Sequence, residues 1–252
     1  MNFLKDRRLR LENLEERTLL TAAPWSTGDE TDASRLVVTT LEDVVDASDH
    51  MTSIREAILY AETLGTPSAV TFADGLEGTI RLTGGALSIG AVNNVTVDGG
   101  GAITIDAGGE GRALEVGEAG AVLTDLAVEN GFADKKGGAI AAFGDLTLIN
   151  VTVSDSFSGK YGGAVYVAPE ASLTVVNSAF LDNSALSHGG GIFVDKGASA
   201  DIFGSTFRGN STASYGGAVY VWNDATAEIA NSFFVGNKAP KGRSGTTAGT
   251  SN

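Results

Sequence analysis

The string YGGAVYV occurs twice in this chain, at 161–167 and 215–221, with SHGGGIFV midway at 187–194 and KKGGAIAA earlier at 135–142. Counted from the glycine pairs that begin at Gly137, Gly162, Gly189 and Gly216, the spacings are 25, 27 and 27 residues. A period in this range selects a solenoid, a propeller or an array of stacked units. Behind each glycine pair the apolar residues alternate: Ile140 and Ala142, Val165 and Val167, Ile192 and Val194, Val219 and Val221. Period two puts such residues on one face of a strand, which excludes helical repeats. A propeller blade takes about 40 to 45 residues, so the unit that fits is one coil of a parallel β-helix, an all-β solenoid.

The second half of each cell repeats as well: FGDLTLINVTV, EASLTVVNSAF, GASADIFGSTF and DATAEIANSFF. Down its columns run Leu148, Val175, Ile202 and Ile229, then Asn150, Asn177, Gly204 and Asn231, then Val153, Phe180, Phe207 and Phe234. Ser156, Asn183, Asn210 and Asn237 follow, with Asn130 expected in the same column one coil earlier. Coils stacked ~4.8 Å apart place like on like, so apolar columns fill the interior and corner asparagines bond along the stack. The glycine pairs supply positive φ at a bend. Residues 69–239 then make about seven coils, a rod ~33 Å long.

Four segments separate. Residues 1–34 are charged and aperiodic, and read as a disordered or sorting segment. Residues 35–68 hold a strand and one helix, in which Ser53 and Glu56 form a capping box and Ile54, Ala57, Ile58 and Ala61 share an apolar face; Gly65 and Pro67 stop it. This short N-terminal helix is placed to cap the solenoid. The repeats fill 69–239, and 240–252 have the polar composition of a disordered tail. No run reaches the ~18 apolar residues of a membrane span, and the apolar stretch 19–23, broken by Thr21, is too short for an ordinary signal peptide.

A net charge of −14, with 31 carboxylates against 17 lysines and arginines, excludes a phosphate-neutralising nucleic-acid surface. The absence of cysteine removes disulfides and thiolate metal sites.

Three stretches carry family resemblances. TSIREAILYAE, residues 52–62, resembles the CSLREA motif that introduces β-helices of bacterial extracellular proteins, with Thr52 in place of the cysteine and Ile54 in place of leucine. The glycine-led cells resemble polymorphic outer membrane protein repeats and the wider right-handed, pectate-lyase-like β-helix class. NLEERTLLTA, residues 13–22, resembles the LEPR-XLL segment of large bacterial surface proteins, with Glu16 where that family has proline. These resemblances imply a right-handed parallel β-helix and an extracellular or cell-surface location in a bacterium.

Candidate chemistry falls into two groups. Asp155 and Asp182 occupy equivalent positions, Asp201 and Glu228 form an outward vertical pair, and Arg208 is the nearest basic residue. Asp182, Asp201, Arg208 and Glu228 are thus candidates for acid/base work, with calcium implied only under a lyase reading; solvated surface residues fit the same positions. Neither a calcium-binding nonapeptide, an EF-hand loop, a nucleophile elbow nor a phosphate-binding glycine loop occurs, so no dedicated metal or cofactor site is expected. The second group is aromatic. Tyr166, Phe193 and Tyr220 share one outward column, Tyr161, His188 and Tyr215 run beside it, and Trp222 lies two residues past Tyr220. Such a stripe suits either a sugar-stacking platform or a ring stack that only stabilises the sheet.

The sequence thus points first to a non-enzymatic structural or adhesive surface protein. The alternatives are a polysaccharide lyase or glycoside hydrolase, and a carbohydrate-binding module. Partners of those readings are a polysaccharide or another surface protein, and an uncapped C-terminal coil invites end-to-end association.

Overall fold

The computed structural model describes residues 32–240. The aperiodic N-terminal segment, including the stretch 13–22, and the polar tail from 241 lie outside them. The described chain is an all-β, right-handed solenoid of about six turns with one short helix. Six coils are complete, and a seventh is begun by the strands Thr226–Ala230 and Phe233–Val235, which is why about seven was expected and about six are found.

Strand pairing between coils is parallel throughout and keeps the columns in register. Leu148 pairs with Val175, Val175 with Ile202, and Ile202 with Ile229. Val153 pairs with Phe180, Phe180 with Phe207, and Phe207 with Phe234. On the glycine-led sheet Ile140, Val165, Ile192 and Val219 form one column. Leu148, Val153, Val165, Val175, Phe180, Ile192, Ile202 and Phe207 are all fully buried, each stabilising the fold by about 1.5–3 kcal/mol through removal from water. Phe180, Phe207 and Phe234 stack with centroids 4.7 and 4.9 Å apart and planes within 5°.

Several corners of each coil need a left-handed backbone, among them the glycine column Gly137, Gly162, Gly189 and Gly216 and two columns of Asn, Asp and Gly. Asp125, Asn150, Asn177, Gly204 and Asn231 form one corner column with φ between 49° and 61°, and Asn130, Asp155, Asp182, Gly209 and Gly236 form the other, between 52° and 68°. Asn, Asp and Gly are the residues that tolerate this region. Asn130 therefore belongs with Asp155, one position away from the column expected for it: Glu129 pairs with Ser154, which places Asn130 level with Asp155.

The next column does form the expected ladder. Oδ1 of Asn183 accepts the backbone N–H of Ser156, Oδ1 of Asn210 accepts that of Asn183, and Oδ1 of Asn237 accepts that of Asn210. A serine ladder runs parallel to it, in which Ser178, Ser205 and Ser232 hydroxyls accept the N–H groups of Val151, Ser178 and Ser205. Each ladder satisfies a backbone donor that a turn inside the wall strands from its sheet partner.

The helix Ile54–Thr63 begins with the expected capping box between Ser53 and Glu56. Its face of Ile54, Ala57, Ile58 and Ala61 joins the main core, and it packs on the strands Ser68–Phe72 and Leu87–Ile89 of the first coil. Charged side chains lock it there. Arg55 binds the carboxylate of Asp43 at 2.8 and 2.9 Å and the carbonyls of Gly85 and Ala86. Glu62 accepts the N–H groups of Gly90, Ala91, Val92 and Asn93.

Candidate functional site

The four acid/base candidates stay apart in their roles. Asp201 and Glu228 are register partners on the adjacent strands Ser199–Phe203 and Thr226–Ala230, both exposed, with Thr174 continuing the column. Asp182 sits in a left-handed corner, its N–H bonded to the carbonyl of Arg208. Arg208 lies on the strand Thr206–Arg208 between Leu181 and Val235 and forms no ion pair with any of the three acids. Among the described residues no group of three His, Asp or Glu is arranged to hold a metal ion.

The aromatic residues do come together, but in two layers instead of one flat stripe. Tyr166, Phe193 and Tyr220 lie in register on the outer face of the glycine-led sheet. Tyr161, His188 and Tyr215 bridge in register one corner earlier and fold over them. Tyr161 stacks on Phe193 at 4.5 Å, His188 leans on Tyr220 at 4.6 Å, and His188 stacks on Tyr215 at 5.6 Å. The covered layer is closed to ligands: Tyr166 is 1% exposed and Phe193 2%. Rings this close and nearly parallel turn their faces on one another, so Tyr166 and Phe193 offer no sugar platform. Alternation told which face they leave by, and only the fold over the corner told that Lys136 covers Tyr166 and Tyr161 covers Phe193.

What remains accessible is the C-terminal edge of the cluster. Tyr215 is 43% exposed and Trp222 39%, with His188 between them at 5.6 and 5.9 Å. Trp222 occupies the position of Ala168 and Asp195 in the two preceding coils, because its N–H bonds to Val194 as theirs bond to Ala142 and Val167.

Beneath the rings lies a polar contact that the sequence columns did not reveal. The Tyr166 hydroxyl accepts a hydrogen bond from Nζ of Lys136 and donates one to Asp195, and Lys136 pairs with Asp195 at 3.5 Å while lying 4.3 Å over the Tyr166 ring. Burial first, and then the Asp195 carboxylate, push the Tyr166 phenol far above its usual range, so it stays protonated and serves as a hydrogen-bonding strut. Lys160 sits 4.7 Å over the Tyr161 ring. Burial, and then Lys160, hold His188 below the usual imidazole value; its Nδ1 lies 2.7 Å from the Ser187 hydroxyl. A neutral imidazole between two exposed rings can stack and hydrogen-bond without bringing charge. Asp195 follows the apolar strand by one residue, where alternation carries no signal.

Two grooves lie at the other end of the rod. One, of about 430 Å³, is lined by Arg81, Thr83, Gly108, Glu110 and Arg112. Both of its guanidiniums are held by the chain itself, Arg81 by Asp106 and Arg112 by Glu115 and the carbonyls of Lys136 and Gly137. The other, of about 310 Å³, borders the glycine loop after Asp98.

No curated protein and no solved structure matches the chain. A family model described as the right handed beta helix region matches residues 77–234. That span is well over half of the chain and ends in the strand of Phe234, so the chain belongs to the right-handed β-helix family.

Proposed function

We propose that this chain is a non-enzymatic module of a bacterial cell surface or of its secreted material, with a structural and adhesive role, and that its adhesive contact is with a polysaccharide. One observation carries the reading: Tyr215, His188 and Trp222 cluster at an accessible edge. Aromatic faces take up the C–H faces of sugars, and hydroxyl and imidazole groups beside them orient the ligand. The resemblance of residues 52–62 and 13–22 to segments of extracellular and surface proteins supports the location.

Retention on a glycan array tests it. The pair Tyr215→Ala with Trp222→Ala lowers retention at least tenfold while the β-sheet circular dichroism signal stays unchanged. Retention equal to that of the unaltered chain sinks the adhesive reading.

A second reading, a polysaccharide lyase or hydrolase, draws on the register pairing of Asp201 with Glu228. It requires unsaturated or reducing ends from a panel of acidic and neutral polysaccharides, with and without calcium, and loss of that product in Asp201→Asn.

A further inference from the structure

The groove lined by Arg81 and Arg112 opens where two neighbouring loops diverge. Residues 82–86 join the strands Gly78–Arg81 and Leu87–Ile89 of the first coil, and residues 107–113 join Val95–Asp106 and Leu114–Val116 of the second. The loops are tied at both ends, Leu82 N–H to the Asp106 carbonyl and Leu87 N–H to that of Ala113, and between those ties no backbone bond crosses from one loop to the other. The first loop is drawn toward the helix cap: Asp43 accepts the N–H groups of Thr83 and Gly84, and Arg55 binds the carbonyls of Gly85 and Ala86. The second is drawn the other way, with Gly109 N–H bonded to the Asn130 carbonyl and the Gly111 carbonyl accepting from Phe132. The space between them is about 430 Å³, in the size range of small-molecule sites.

Gly111, which lines this space, is the reason to regard it as a site. Every other glycine among the described residues either has φ in the left-handed region or would set a Cβ against a neighbouring group. Gly111 does neither: its φ lies outside that region, and no atom lies within 4 Å of a Cβ built on it. Neither backbone conformation nor packing within the chain calls for glycine there, whereas close approach of a bound molecule to the backbone does.

The polar groups around it specify the ligand's charge. Arg81 uses two of its five N–H donors, on Asp106 and the Gly108 carbonyl, and Arg112 uses three, on Glu115 and the carbonyls of Lys136 and Gly137. These bonds fix both planar forks and leave donors on each for a ligand carboxylate. Since each guanidinium is already paired with a carboxylate of the chain, the groove holds no surplus positive charge for a dianion such as phosphate. Glu110 also lines the groove, is exposed and enters no ion pair among the described residues. It repels a second negative charge and accepts a hydroxyl or ammonium hydrogen. We infer that this groove binds a small organic monocarboxylate that carries a hydroxyl or ammonium donor, with its carboxylate on Arg81 and Arg112, its donor toward Glu110 and its body against the bare backbone of Gly111. The site is separate from the aromatic edge and does not depend on the adhesive reading.

Isothermal titration calorimetry of the full chain with glucuronate, L-alanine, acetate and sulfate, each to about 10 mM, tests this. Glucuronate or alanine binds with Kd below about 1 mM, and acetate and sulfate bind at least tenfold more weakly. Which of the first two binds tighter decides whether the donor is hydroxyl or ammonium. Gly111→Ala puts a methyl group where the ligand lies, and Arg81→Lys keeps the charge but loses the fork. Each weakens binding at least tenfold, with a melting temperature within about 2 °C of the unaltered chain. Tyr215→Ala with Trp222→Ala leaves this binding unchanged, which separates its failure from that of the adhesive reading. Absence of saturable binding by both glucuronate and alanine overturns the inference, as does sulfate binding as tightly as either, or binding indifferent to both Gly111→Ala and Arg81→Lys. A melting temperature lowered by several degrees in Gly111→Ala also overturns it, because the glycine then serves the fold.

Discussion

Oδ1 of Asn210 accepts two hydrogen bonds from the residue one coil below it, the backbone N–H of Asn183 at 3.1 Å and its side-chain amide at 3.0 Å. Asn183 and Asn210 are fully buried, so water cannot replace Asn210. Asn210→Ala leaves two donors of Asn183 and the Phe180 carbonyl without their partner and costs about 3 kcal/mol. A melting temperature within 2 °C or so of the unaltered chain, where several degrees are expected, contradicts this account of the ladder.

The phenylalanine column predicts a gradient. Phe207 lies between Phe180 and Phe234 and is fully buried, while Phe234 has a ring neighbour on one side only and is partly buried. Phe207→Ala costs about 3–5 kcal/mol by lost burial and a cavity, and Phe234→Ala costs less than half of that. Chemical denaturation of the two variants measures the difference; equal losses mean that the last coil is as well covered as the sixth.

Glycine is needed for two different reasons. A Cβ on Gly163 lies 2.1 Å from the Gly190 carbonyl oxygen and 2.5 Å from that of Ser184, so Gly163→Ala forces adjacent coils apart and costs about 3 kcal/mol or more. At Gly109 no atom lies within 4 Å of such a Cβ, but φ is +75°, so Gly109→Ala costs only the backbone strain, about 1–2 kcal/mol. Denaturation midpoints that rank the two the other way refute the close-approach argument.

Two pH windows follow from groups whose pKa values the fold depresses. His188 is held low by burial and by Lys160, so its contribution to stability is complete above the ordinary value of 6.5 and is lost as pH falls through the folded value. Burial pushes Asp43 up, but the bonds from Arg55, Gly84 and Thr83 outweigh it and the net shift is downward; its contribution is present above 3.8 and lost as pH falls further. Melting temperature therefore falls below about pH 6.5 and again below about pH 4. His188→Phe flattens the first slope. Asp43→Asn destabilises the helix cap at neutral pH and weakens the second. A slope between pH 7 and 5 that His188→Phe leaves intact assigns that titration to another group.

The helix cap and the repeats were legible because their signals are local. Ser53 and Glu56 are three residues apart, and the alternation of Val165 with Val167 needs no partner to be seen. The left-handed corners were partly legible: Asn177 and its column mates stood out, whereas Asn130 was set one position out of place because its coil lacks the glycine pair that aligns the others. The serine ladder of Ser178, Ser205 and Ser232 was missed, since a serine column in a turn looks like ordinary turn chemistry.

The sequence by itself determined the stack. A repeat of 27 residues with alternating apolar positions has one way to bury its columns, namely coil upon coil, and the identity of each column follows from register. Tertiary structure decided which members of a column water can reach. Tyr166 and Tyr220 carry the same letter in the same register, yet one is sealed beneath Lys136 with Phe193 stacked beside it, while the other lies near the open edge. The reason is that repetition fixes what lies directly above and below a residue, whereas exposure depends also on what folds over it from the neighbouring corner and on whether another coil follows.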